Sequence, residues 1–138
     1  MIYSMFAMII LTFVVAGYLL KLRIDAVKAG AVKLSVFRLN SPAEMPTTML
    51  QTSSNYSNLF EMPMLFYIAG TLAIILNLQT PAMIIISWLF VAVRAAHSWI
   101  HITSNNVVRR FQAFVMSSIC MLLMWIILVW QYSTVHMY

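Results

Sequence analysis

The chain has 138 residues, of which 63% are hydrophobic and 8% charged, and its mean hydropathy is +0.92. Ordinary soluble domains carry about 25% charged residues, so this composition excludes that class and indicates a membrane protein. The net charge is +5. The one cysteine, Cys120, excludes an internal disulfide and a cysteine-rich metal site, and its apolar surroundings indicate a packing residue.

Four stretches are long and apolar enough to cross a membrane, because about twenty helical residues span a hydrocarbon core of roughly 30 Å. No Lys or Arg precedes the first stretch, which indicates a retained span rather than a signal peptide. The very short link around Gln79 and Thr80 makes the second and third spans antiparallel neighbours. The sequence therefore predicts an all-α integral membrane protein, a four-transmembrane-helix bundle forming one domain over residues 1–138. The spans cover about residues 2–20, 59–78, 81–100 and 111–131.

The basic residues predict the orientation of the bundle. All of them except Arg94 lie in the connection at about 21–57 or between the third and fourth spans: Lys21, Arg23, Lys28, Lys33, Arg38, Arg109 and Arg110. The positive-inside rule assigns both connections to the cytoplasm, which explains the net charge without a nucleic-acid partner. We expect part of the 21–57 connection to lie along anionic lipid headgroups, with a helix break at Ser41-Pro42.

Polar residues also lie inside two of the spans, although an ionisable side chain there costs at least about 2.5–3.5 kcal/mol. Arg94, His97 and His101 recur at i, i+3 and i+7 on one helical face. Asn58 and Glu61 form a second pair in the preceding span, and Pro63 is expected to bend that span. Because the two spans run in opposite directions, both groups lie in the cytoplasmic third of the bundle, which predicts a site there.

Several interpretations of this site follow from the residues. Glu61 and Arg94 are the only acid and base within the spans, which predicts a direct ion pair between them. The cluster is then either structural or a cytoplasm-facing pocket for an anionic ligand, since cations are in excess. A metal site is disfavoured because His97 and His101 lack a clear third ligand. Proton-coupled transport is disfavoured because Glu61 has a cation nearby.

Two segments resemble the MAPEG superfamily, the membrane-associated proteins of eicosanoid and glutathione metabolism. They are NYSNLFEMPMLFY on the second span and RAAHSWIHITSNNVVRRFQAF across the third and fourth spans. The order and spacing of all four spans are also similar, and the resemblance is closest to a short bacterial branch. It implies a homotrimer in a bacterial inner membrane, with glutathione bound near the cytoplasmic face between subunits.

The resemblance also implies roles for individual residues in holding glutathione. Asn58 and Glu61 match the family's Asn-x-x-Glu pair, which helps to hold the peptide. Arg94 and His97 match an Arg and a His that orient the pocket. Lys21 matches a basic residue at the exit of the first span.

For the chemistry, the resemblance assigns stabilisation of the glutathione thiolate to Arg110, because a nearby cation favours a thiolate. His101 replaces a family Tyr and is a candidate donor to the thiolate. Other positions also depart from the family pattern, which has arginines before the Asn and polar residues after the Arg of the fourth span. The departing residues are Ser54, Ser57, Phe111 and Phe114.

The sequence therefore predicts a glutathione-dependent membrane transferase or peroxidase-like protein that acts on lipophilic electrophiles. The alternative is a non-enzymatic relative that binds membrane lipid, or an accessory or scaffold subunit of a membrane protein complex. Asn58, Glu61, Arg94 and Arg110 favour the enzyme. Ser54, Ser57 and Phe114 favour the alternative.

Overall fold

The protein folds into five helices in this computed structural model, which describes residues 1–39 and 45–136. All helices except the six-residue α2 are long and apolar enough to cross a membrane. The prediction of an all-α, four-helix membrane bundle is therefore confirmed. The helices are α1 (Ile2–Lys28), α2 (Leu34–Leu39), α3 (Thr47–Ile75), α4 (Pro81–Ile102) and α5 (Val107–His136).

The connection predicted at residues 21–57 is largely helical. α1 continues to Lys28, and the chain then turns at Gly30, whose φ of +69° lies in the left-handed region. α3 begins at Thr47, directly after Pro46. Its first turns are helical because side chains at intervals of three residues pack inward; the buried ones are Met49, Thr52 and Asn55. The helix break predicted at Ser41-Pro42 lies outside the described residues.

The helix ends divide the bundle into two unlike ends. α1 and α4 end where α3 and α5 begin, and we call this the basic end, since Lys21, Arg109 and Arg110 lie there. α2 packs on it, with the Arg23 guanidinium 5.7 Å from the centroid of the Phe37 ring.

The opposite end is closed by the short α3–α4 turn. The Thr80 hydroxyl caps α4 by accepting a hydrogen bond from the Met83 amide, and Pro81 occupies the first helical turn, where its missing N–H is not needed. The same hydroxyl oxygen accepts a hydrogen bond from Gln131 Nε2 at 3.0 Å. Thr80 thereby links the turn to the end of α5.

The core between these ends is apolar. The Phe66 and Phe90 rings stack with centroids 4.7 Å apart, joining α3 to α4. Gly70 lets α1 approach α3 closely, since a Cβ there would lie 2.8 Å from Met5 Sδ. Methionines fill much of the remaining space, with Met8, Met49, Met83 and Met124 buried. The outer faces of the four long helices are mostly apolar, as a lipid-facing surface requires.

Candidate functional site

Arg94 is the most deeply buried charge in the described part of the chain. Its exposed fraction is 0%, and its Nη2 atom donates a hydrogen bond of 2.5 Å to the backbone carbonyl of Asn58. This contact joins α4 to α3 near the basic end. The prediction that the second and third spans bring their polar residues to one depth is consistent with this contact.

The predicted direct ion pair between Glu61 and Arg94 is wrong. Among the described residues, the Asn58 carbonyl is the one hydrogen-bond partner of the guanidinium, whose Nε and Nη1 atoms are buried without partners. Glu61 is exposed, on the same outward stripe of α3 as Ser57 and Met64. The two groups share a depth but do not meet, because the guanidinium is buried in the bundle against the backbone of α3 while the Glu61 side chain lies on the exposed face of that helix.

Pro63 interrupts the hydrogen-bond ladder of α3 beside the Arg94 contact. Proline has no N–H, so the carbonyl of Leu59, four residues earlier, loses its helical donor and the hydrogen-bond ladder is interrupted. α3 continues through Pro63, and the neighbouring carbonyl of Asn58 receives the Arg94 guanidinium. A side chain from an adjacent helix thus supports the interrupted turn, as is common in membrane helices.

The two histidines of α4 lie next to each other inside the bundle. His97 and His101 are 3% and 1% exposed, and their ring centroids are 5.7 Å apart. In the described residues, His97 Nδ1 and both ring nitrogens of His101 have no hydrogen-bond partner. No group of three His, Cys, Asp or Glu side chains that could hold a metal occurs among them.

Arg110 is held in place by the α4–α5 connection. Its Nη1 atom donates a hydrogen bond of 2.6 Å to Asn105 Oδ1, and Asn105 has a φ of +48°. The next residue, Asn106, accepts a hydrogen bond from the Arg109 amide at 3.0 Å. Sequence reasoning missed Asn105. The available signal was the Asn-Asn pair before a helix, since Asn tolerates positive φ and caps helices.

Arg110, Asn58 and His97 line one groove of about 250 Å³, which we call the Arg110 groove. Three helices contribute to it, so the structure brings together three of the predicted site residues. Its remaining lining residues are apolar: Val107, Phe111 and Phe114.

The other predicted site residues lie outside the Arg110 groove. Lys21 is exposed on α1, and Glu61 is exposed on the outer face of α3. Arg94 and His101 are buried in the bundle interior. The chain therefore presents the predicted residues in three places: in the groove, on its outer faces and in its interior.

A second groove, of about 470 Å³, lies between α1 and α3 on a different face of the bundle. It is almost entirely apolar. Aromatic and branched side chains dominate its lining, which includes Ile9, Phe13, Phe60, Met64 and Ile68. It contains no ionisable residue of the predicted site.

Comparison with known proteins gives a match to a family model that covers most of the chain. The model of the MAPEG family matches residues 1–130, which includes both segments that carry the resemblance. Searches of curated proteins and of solved structures gave no significant match. The match covers α1, α3 and α4, most of α5 and every residue that lines the Arg110 groove, and the fold is the four-helix bundle expected of this family. The chain is an integral membrane protein that belongs to the MAPEG family.

Proposed function

We propose that the protein is a glutathione-dependent membrane transferase or peroxidase-like enzyme that acts on lipophilic electrophiles at the Arg110 groove. Membership of the MAPEG family supports a role linked to glutathione or eicosanoid metabolism. The observation that carries the specific proposal is the fixed position of Arg110, bound by Asn105 and facing a groove shared with Asn58 and His97.

Glutathione would supply the thiolate that attacks an electrophilic carbon and displaces its leaving group. Arg110 would stabilise that thiolate, because a guanidinium keeps its charge at neutral pH and has five N–H donors. One donor is engaged by Asn105, which fixes the side chain and leaves others for the sulfur. Asn58 would hydrogen bond to the peptide, and His97 would orient the ligand from the floor of the groove.

The lipophilic second substrate would enter from the bilayer. Val107 and Phe111 are exposed, and both line the groove beside Arg110. Together with Phe114 they form an apolar wall on the side of α5. A substrate dissolved in lipid would therefore meet the thiolate without crossing a polar surface.

We propose further that the site is completed between subunits of a homotrimer. Glu61 is exposed on an otherwise largely apolar outer face, where lipid contact would be costly for its carboxylate. A neighbouring subunit covering this face would place Glu61 and Lys21 near a second Arg110 groove. Glu61 would then bind the glutathione amine, and Lys21 one of its carboxylates.

The positive-inside rule supports a cytoplasmic position for the basic end, and hence for this site. Glutathione is a water-soluble tripeptide, so a site near the aqueous face would reach it directly. Within this proposal, the membrane is the bacterial inner membrane.

A second candidate function is a non-enzymatic accessory or lipid-binding subunit. Phe111 and Phe114 favour it, because they make the wall beside Arg110 apolar where family members have polar residues. Ser57 also favours it, since its hydroxyl donates to the Ser53 carbonyl of its own helix. Ser57 therefore offers a bound peptide neither a charge nor a free hydroxyl donor, in a segment where the family pattern has arginines.

Glutathione titration of the purified protein in detergent separates the two functions. If the protein is the proposed enzyme, it binds glutathione saturably at millimolar concentrations or below. It also conjugates glutathione to a chlorinated dinitrobenzene. The Asn58→Leu variant should bind more weakly, whereas Asn77→Gly, at the opposite end of the bundle, should bind as the wild type does. Absence of binding would contradict the enzyme, and binding without turnover would favour the accessory function.

A further inference from the structure

A second group of polar side chains lies in the bundle interior, behind the Arg110 groove. We call it the inner polar cluster; its members are Asn55, Arg94, Ser98 and His101, with exposed fractions of 0%, 0%, 3% and 1%. In the described part of the chain, seven buried atoms of the cluster have no hydrogen-bond partner. These are both amide atoms of Asn55, Nε and Nη1 of Arg94, the Ser98 hydroxyl and both ring nitrogens of His101.

The geometry of the two helices brings these residues to one level. Arg94, Ser98 and His101 recur at i, i+4 and i+7, which places them on one face of α4. α3 runs antiparallel to α4, and the Arg94–Asn58 contact fixes how they align. From there, Ser98 is about 6 Å along α4 and Asn55 about 4.5 Å back along α3. Asn55 and Ser98 thus lie at nearly the same depth.

Unpartnered polar atoms are rare in protein interiors, and a concentration of them indicates a bound polar species. The charge of Arg94 specifies which kind. The acidic side chains that the structure describes, Asp25 and Glu61, are exposed; Glu61 acts on the buried guanidinium at a distance, but neither carboxylate contacts it directly. Water would satisfy the hydrogen bonds but would leave the buried charge without a counterion in contact with it. A small anion satisfies both requirements.

We propose that the inner polar cluster binds one small monovalent inorganic anion, of the size of chloride or bromide, inside each protomer. The Arg94 Nε and Nη1 groups would donate to the anion, together with the Asn55 amide and the Ser98 hydroxyl. His101 would close the side toward the basic end. The site lies within a single bundle, so it does not depend on glutathione or on a trimer.

The anion would also have a mechanical role. It would hold the guanidinium from one side while the Asn58 carbonyl holds it from the other. Because Asn58 also lines the Arg110 groove, the anion would stabilise one wall of that groove. Its binding is thus expected to appear as stability of the protomer.

Bromide is the probe for the test. The purified protein, without glutathione, is titrated with sodium bromide against sodium gluconate at constant ionic strength, and its apparent Tm is recorded. The proposal predicts a saturable rise of roughly 5–10 °C at a hundred times the Kd. Crystals grown with bromide should show an anomalous peak beside the Arg94 guanidinium.

Three variants locate the effect. Asn55→Leu and Ser98→Ala should abolish or strongly reduce the bromide-dependent rise. Ser87→Ala is the matched control, because Ser87 is buried on the same helix but its hydroxyl already donates to the Ile84 carbonyl. That control should respond to bromide as the wild type does.

Equal Tm values in bromide and gluconate would overturn the proposal. So would an equal bromide response in wild type, Asn55→Leu and Ser98→Ala, since this would indicate binding at surface cations. Electron density for water alone beside Arg94 at saturating bromide would also overturn it. If one cluster variant fails to fold, the other still decides the outcome.

Discussion

Arg94 of α4 donates a hydrogen bond to the backbone carbonyl of Asn58 on α3, one residue before the Leu59 carbonyl, which lacks its helical donor because residue 63 is proline. The guanidinium therefore points into the bundle, while Glu61 lies on the outer face of α3. Glu61 and Arg94 are an acid and a base at one depth, yet they do not pair, because one faces outward and the other inward. Arg94 supports the protomer, and Glu61 is available to a ligand or a neighbouring subunit.

Arg94→Ala should strongly destabilise the protomer. The substitution leaves a cavity in a fully buried position and removes the donor to the Asn58 carbonyl. We expect a loss of about 2–5 kcal/mol, measured as a lower apparent Tm in detergent. Arg109→Ala is the matched control, because that side chain is exposed, and should change stability by less than about 0.5 kcal/mol. Equal stability of the two variants would contradict a structural role for Arg94.

Asn105 should act on catalysis through Arg110. Asn105→Gly keeps the backbone free to adopt a φ of +48° but removes the acceptor for Arg110 Nη1, so we expect a roughly tenfold lower kcat/KM at little cost in stability. Asn105→Ala should lose the same activity and in addition about 1–2 kcal/mol of stability, because alanine is strained at positive φ. Unchanged kcat/KM in Asn105→Gly would show that the contact does not position Arg110.

The α1–α3 contact at Gly70 should tolerate only a small side chain. A Cβ there would lie 2.8 Å from Met5 Sδ, the flexible part of a side chain that can move, so Gly70→Ala should cost less than about 1 kcal/mol. Gly70→Leu has to displace α1 itself and should cost about 1–3 kcal/mol or more. Gly17→Ala is the control: nothing lies within 4 Å of its Cβ, and it should stabilise α1 by about 0.5–1 kcal/mol. Apparent Tm values rank the three variants, and the reverse order would contradict this packing.

Much of the fold was predictable from the sequence. Apolar length alone defines four spans, and the short link at Gln79 makes two of them antiparallel neighbours. The start of α3 was not predictable in the same way, since its Thr-, Ser- and Asn-rich first turns look like a connection. They are helical because Met49 and Asn55 pack into the bundle, which is a tertiary effect.

The site was predictable in depth but not in direction. Counting residues along each span places Asn58, Glu61 and Arg94 at one level, yet the side of the helix each faces depends on packing between helices. Asn55 was missed for the same reason, because an asparagine in a polar stretch looks exposed. The positive φ of Asn105, which positions Arg110, is likewise a property of the folded connection.

Glu61→Gln separates ligand binding from stability. The carboxylate is exposed, so we expect the free energy of unfolding to stay within about 0.5 kcal/mol of the wild-type value. The apparent Tm should therefore be nearly unchanged. Loss of its charge should weaken binding of the glutathione amine, raising the KM for glutathione about tenfold with a smaller change in kcat. A fall in Tm as large as that of Arg94→Ala, with unchanged KM, would assign Glu61 a structural role instead.

The most direct measurement is the ultraviolet absorbance of the glutathione thiolate on the purified protein, compared between Arg110→Ala and Arg109→Ala. The two arginines are adjacent, but only Arg110 lines the groove and binds Asn105. We predict a saturable thiolate signal in the wild type and in Arg109→Ala, and its loss in Arg110→Ala. A wild-type protein without this signal, or an Arg110→Ala variant that retains it, would contradict the account.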